Sequence, residues 1–214
     1  MSPQCCAIDT ARASARAAAW EHAGEHAPDH HVTAQNPIVI DLDAALVTPH
    51  SEKEAAAPTY KRGFGFHPLL AFVDHGVGET GEPVAALLRP GIAGSSTAAD
   101  HLKVIRKALA KLRSAIGPCP GRTVIVRTDG AGASHTFMTW LHNKRVSYSI
   151  GLGLTDAMVT ALSAASPKVR VRSPSTMPRR SATGYGASTP PAFSTWPTGI
   201  RVIIRRNTRT PQRS

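Results

Sequence analysis

Asp41, Asp43 and Asp129 are the residues of this chain whose types and spacing suit chemistry. The first two end an apolar run, PIVIDLD (37–43), and stand one residue apart; the third ends a second run, TVIVRTD (123–129). Carboxylates at strand ends offer hard oxygen ligands on a rigid base, which is what Mg²⁺ and Mn²⁺ need for phosphoryl transfer. In an extended strand Asp41 and Asp43 fall on one face and Ile40 and Leu42 on the other. Gly130, Ala131 and Gly132 leave the backbone open beside Asp129. Should the two runs lie side by side, Asp43 and Asp129 share a cation, with Asp41 as a further metal candidate. The competing role is local: strand-end aspartates cap turns and open helices.

The elements that must position these acids follow from periodicity. Three strands come first: Ile38–Val47, His67–Asp74 and Pro83–Arg89, the last two joined by a glycine-rich link. Thr97-Ala98-Ala99-Asp100 is a capping box, and Leu102, Ile105, Leu109, Leu112 and Ile116 recur behind it at helical spacing up to Gly117-Pro118. The opposite side carries Lys103, Arg106, Lys107, Lys111 and Arg113, a solvated face or a surface for DNA. A strand (123–128), a helix (134–143), a strand (146–152) and a helix (155–165) complete the series. Short links favour an antiparallel meander for the first three strands, and the strands after each helix join in parallel. The prediction is an α/β fold with a mixed sheet.

Upstream, residues 1–36 are Ala-rich and polar, with a helix over 11–20 and a loop after it. Gly24 and Pro28 break any shared face for His22, His26, His30 and His31, so that cluster reads as linker. Residues 166–193 have neither period and are rich in Ser, Pro, Thr, Arg and Gly, the composition of a disordered segment. Residues 194–214 read as folded sequence again, with a strand over 200–204.

Composition narrows the partners. A formal net charge of +11 and a pI near 10.3 point to a polyanion, with nucleic acid first. Cys5, Cys6 and Cys119 give no disulfide framework and no zinc spacing. No window approaches the roughly 20 apolar residues of a membrane span. A reducing, intracellular setting is expected.

Two enzyme classes use acids in this way. IDLDAALV (40–47) resembles the Asp-x-Asp-x-Thr strand end of haloacid-dehalogenase-type phosphatases, with Ala45 in the Thr place. That fold next shows a cap or a crossover, whereas two more strands follow here. The strand-strand-strand-helix-strand-helix order instead matches ribonuclease H-like nucleotidyl transferases. DLDAALVTPHSEKEAAAPTYKRGFGFHPLLAFVDHG (41–76), GEPVAALLRPGIAGSSTAADH (81–101) and VIVRTDGAG (124–132) resemble a DDE transposase of bacterial insertion sequences, of the insertion sequence 1380 family (transposase DDE domain group 1). The likeness covers about residues 14–165 and resumes over 194–205. It departs at Ala45 (usually Thr), Ile92 (usually Asn) and Gly130 (usually Ser).

The resemblance implies a partial ribonuclease H-like domain over 37–165, with a helical remnant before it. It implies DNA cutting and joining with Mg²⁺ or Mn²⁺, two ions about 3.5–4 Å apart in such sites. Asp43 matches the first acid better than Asp41, and Asp129 matches the second. Lys61, Arg62 and Arg127 are candidate phosphate contacts. The implied partners are transposon ends and target DNA, with a homodimer as an assembly to test and no membrane. The implied location is the bacterial cytoplasm, at the nucleoid. The family's third acid, usually Glu on a C-terminal helix, has no counterpart: no Glu follows Glu82, and Asp156 is the one acid after Asp129. The expectation is therefore a truncated transposase, with 166–193 translated out of frame between compensating shifts, and inactive because ligands of one site act as a unit. The alternatives are a non-catalytic DNA-binding or inhibitory remnant, a product without function, and the phosphatase.

Overall fold

Alternation decides the central strand. In β1 (Ile38–Ala44) the β-branched and aliphatic Ile38, Ile40 and Leu42 are buried, while Asp41 is half-buried and Asp43 exposed. One face is therefore core and the other open. The computed structural model describes residues 3–153 apart from 52, 60–61, 77–80 and 95–96, together with 156 and 160. Met1–Leu152 form one compact unit and Gly153–Ser214 a second. The strands and helices with defined bounds lie in the first, and Asp156 and Thr160 of the second are helical. The helix expected over 155–165 and the segments 166–193 and 194–214 fall almost wholly outside the described residues.

Around β1 stand β4 (Leu69–Val73), β5 (Glu82–Leu87), β6 (Val124–Thr128) and β7 (Ser147–Ile150), in the order β5-β4-β1-β6-β7. The pairs β1/β4 and β4/β5 are antiparallel, and β1/β6 and β6/β7 are parallel. This is the mixed sheet expected from the order of strands and helices. Two helices make the parallel connections. α2 (Ala98–Lys111) leads, through the single turn α3 (Arg113–Ile116), to β6, and α4 (His135–Asn143) leads to β7. No helix among the described residues is long and apolar enough to cross a membrane.

Strand ends differ from expectation. β1 ends at Ala44, three residues early, although its β4 register carries on in broken form: Ala45 N donates to Pro68 O and Val47 forms an isolated bridge with Phe66. Between β1 and β4 the chain inserts a short hairpin, β2 (Ala57–Pro58) against β3 (Phe64–Gly65), which carries no periodic signal. Gly91 closes over it: a Cβ there would stand 2.1 Å from Ala57 O and 2.4 Å from Gly65 O. Only glycine permits that backbone approach. Ile92 beside it is exposed.

α2 begins as read. Thr97 Oγ1 accepts from Asp100 N, and Asp100 Oδ2 accepts from Thr97 N, both at 3.2 Å. Its buried side is rotated from the predicted stripe, with His101, Val104, Ile105 and Ala108 innermost and Leu102 and Leu109 only partly covered. His101 tolerates burial because Nδ1 lies 2.9 Å from Thr97 O, while its ring packs 5.2 Å from that of Phe137. The helix crosses β4 and β5 and meets α4, so the core lies between these two helices and one face of the sheet.

α1 (Pro3–Ala23) is about twice the expected length, as its alanines favour. Arg16 and Trp20 tie it to β5. Arg16 pairs with Glu82 and donates to Pro83 O at 3.1 Å, and Trp20 Nε1 donates to Glu82 at 3.0 Å. Lys111 Nζ reaches Asp9 at 2.6 Å, taking one lysine of the basic stripe into an ion pair.

Candidate active site

Register brings the acids together. β1 and β6 run parallel with Asp41 opposite Arg127 and Leu42 opposite Thr128. The next position on each chain is Asp43 and Asp129. Both follow at the C-terminal mouths of adjacent strands, one residue past the last pair of a ladder whose strands are roughly 4.8 Å apart. Pleating places Asp41, Asp43, Arg127 and Asp129 on the open face, away from Ile40, Leu42 and Val126. The D-x-D of β1 and the R-x-D of β6 are thus the same spacing laid side by side.

Asp43 and Asp129 are both exposed, and each has one local tie. Asp43 Oδ1 accepts from Ala44 N at 2.8 Å. Asp129 Oδ1 accepts from Ala131 N at 3.0 Å and caps a 3₁₀ turn, Gly130–Gly132. The capping role that competes with metal binding is therefore real, yet it uses one oxygen of each carboxylate. Neither is in an ion pair among the described residues.

Asp41 is placed differently. Arg127 donates Nε to Asp41 Oδ1 and Nη2 to Asp41 Oδ2, each at 2.5 Å, and Nη2 also reaches Asp74 Oδ2 at 2.7 Å. The bond to Asp41 raises the Arg127 pKa above its ordinary value; desolvation opposes, and the charges of Asp41 and Asp74 add to the rise. Bidentate guanidinium–carboxylate pairs are strong and directional. Both Asp41 oxygens and most of the Arg127 fork are committed to this bond. Of the other candidate phosphate contacts, Lys61 lies outside the described residues. Arg62 is exposed in a left-handed turn (φ 63°), its N donating to Thr59 O at 3.0 Å.

Asp74 is the member that sequence reading passed over, although it ends the second strand. Its N donates to Val39 O at 3.0 Å, extending the β1/β4 ladder, and its Oδ1 accepts from Gly76 N at 2.8 Å. Asp41 and Asp74 therefore share one guanidinium, with Asp74 level with Val39, while Asp43 and Asp129 lie farther along at the strand mouths. Acids there form a patch that attracts cations. Among the described residues there is no group of three or more His, Cys, Asp or Glu set to hold a metal ion. The patch presents a pair of open carboxylates.

A family model described as Transposase DDE domain group 1 matches residues 4–213. The chain belongs to this family. No curated protein matches it. The match begins earlier than the likeness read from sequence and runs through 166–193. The matched residues include both strand mouths, with Asp43 and Asp129.

The turn that carries Asp129 packs Gly132 closely against Thr128. A Cβ on Gly132 would stand 2.2 Å from Thr128 Cγ2, 2.8 Å from Oγ1 and 3.1 Å from Cβ. Rotating Thr128 only exchanges one clash for another. Gly132→Ala is expected to destabilise the protein by about 1–3 kcal/mol, the usual cost of overpacking. Urea denaturation checks this, and an unchanged midpoint would show that the turn yields freely.

Proposed function

We propose that the chain carries the cation-holding edge of a ribonuclease H-like transposase domain that hydrolyses and rejoins phosphodiesters of insertion-sequence DNA. The observation that supports this is the β1/β6 register, whose last pair, Leu42 and Thr128, stands one residue before Asp43 and Asp129. The order β5-β4-β1-β6-β7, with its antiparallel first three strands and parallel last two, supports the ribonuclease H-like assignment. Asp43 and Asp129 fit Mg²⁺ or Mn²⁺, since each retains carboxylate oxygen after its one backbone bond, and such ions take one or two carboxylates beside waters and phosphate oxygens. When bound, the ions would polarise the phosphate and lower the pKa of an attacking water. The protein's own contribution is to fix the two acids on rigid strand ends and to leave the face above them open to a duplex. Its net positive charge holds that duplex through phosphate contacts.

A second reading is DNA binding without turnover, and one observation favours it for these 214 residues: Asp156 is the single acid after Asp129. We expect the purified chain to shift duplex DNA, with affinity falling steeply between 50 and 200 mM salt as counterion release requires. We expect supercoiled plasmid to stay intact in Mg²⁺. Absence of any shift would refute the DNA reading. Mg²⁺-dependent nicking lost in Asp129→Asn would show that the residues present suffice for cleavage.

A further inference from the structure

Arg127 lies two residues before Asp129, and Asp41 two before Asp43. Their bidentate bond therefore sits about 7 Å below the carboxylate pair, two residues at 3.3 Å each. The β1/β6 pairing ends at Leu42 and Thr128. β1 keeps its β4 register beyond that point, with Ala45 N on Pro68 O and Val47 paired with Phe66. β6 likewise stays beside β7, with Gly151 N on Thr128 O at 3.0 Å and Gly151 close to the backbone of Asp129. The Arg127–Asp41 bond is the cross-strand side-chain tie next to the acids, and Asp74 anchors its far side to β4.

We propose that Arg127 is a positioning residue, a clamp fastened on Asp41 and Asp74 that stops the mouths of β1 and β6 from splaying and so keeps Asp43 and Asp129 on one cation. This rests on the metal-site reading above. It assigns Asp41 to the clamp and not to the metal. An exposed ion pair adds little to stability, so the effect of this one falls on geometry, through the planar fork that lysine lacks.

The sign of one measurement separates the clamp from simple electrostatics. Removing a positive charge about 7 Å from a bound cation should tighten cation binding, whereas removing a clamp should weaken it. Mn²⁺ titrations of the full chain, followed by electron paramagnetic resonance, are expected to show about tenfold weaker binding in Arg127→Ala. Arg127→Lys, which keeps the charge and loses the fork, should be weakened about threefold, with circular dichroism unchanged in both. Asp41→Asn should also lose about threefold. Unchanged or tighter Mn²⁺ binding in Arg127→Ala, or in Arg127→Lys should the alanine variant not fold, overturns the clamp. A loss in Asp41→Asn as large as in Asp43→Asn returns Asp41 to the metal and overturns it too. Failure of the underlying reading looks different: the unmodified chain binds no Mn²⁺, or Asp43→Asn and Asp129→Asn bind it unchanged, and the clamp falls with it.

Discussion

Asp43→Asn and Asp129→Asn are each expected to weaken Mn²⁺ binding at least about tenfold while leaving the fold intact. Asparagine is the discriminating replacement because it keeps the local bond. At position 43 its side-chain oxygen can still accept from Ala44 N, and at position 129 Asn caps a turn about as well as Asp. Stability should therefore stay within about 0.5 kcal/mol of the parent, as for surface changes that break no special feature. What is lost is charge. Two unit charges 4 Å apart interact by about 1 kcal/mol in water and about 4 kcal/mol at the effective dielectric near a protein surface. A divalent ion doubles this, and each 1.4 kcal/mol is about tenfold in affinity. The double variant should lose little more than either single one, because ligands of one site act as a unit. Additive losses would mean that the two carboxylates hold separate ions. Isothermal titration with Mn²⁺ decides between these outcomes, and unaltered affinity in either single variant would remove that residue from the site.

Much of this edge was legible before any coordinates. Alternation in IVIDLD separates core from open face, and the helices before β6 and β7 predict the parallel pairs; the connection from Ala44 to Leu69 is too long to count as the short link of a meander. The capping box at Thr97 and Asp100 fixes the start of α2 because both reciprocal bonds are local. Tertiary partners are what sequence could not supply. Nothing near Asp41 in the chain says that Arg127, 86 residues away, would occupy both its oxygens; that follows only once the parallel register is known. Asp74 was unremarkable for the same reason, since its role depends on lying beside Val39. The rotated stripe of α2 has a related origin: a histidine scores as polar in any periodicity, yet His101 is buried because one backbone carbonyl satisfies it and one phenyl ring covers it. The β2–β3 hairpin escaped because two-residue strands have no period to detect.

Phe137→Ala is expected to be the most destabilising of these substitutions, by about 3–5 kcal/mol, the range for deleting a fully buried phenyl group. Phe137 has no exposed surface and sits on the first turn of α4, where Ser134 caps the helix by accepting from its N at 3.3 Å. The ring fills the space between α4, His101 of α2 and the sheet, alongside Leu141 and Val126. Collapse into the cavity is restricted. The sheet is pinned by its hydrogen-bond ladder, and His101 can move only by giving up its contact with Thr97 O, which would leave a buried polar nitrogen unsatisfied. Domains of this size are stable by about 5–15 kcal/mol, so the variant sits near the limit of folding. With urea m-values of about 1–3 kcal/mol per molar, the midpoint should fall by roughly 1–5 M. Phe137→Leu, which leaves a smaller cavity, should recover more than half of the loss. The position of this ring also bears on the site, because α4 begins directly after the turn that carries Asp129. If the helix serves only the core, Mn²⁺ affinity per folded molecule will be the same in Phe137→Leu as in the parent. If it also braces the Asp129 turn, affinity will fall in that variant although the protein remains folded. A loss of stability below about 1 kcal/mol in Phe137→Ala would show that the space between helix and sheet closes readily and that this ring is not its keystone.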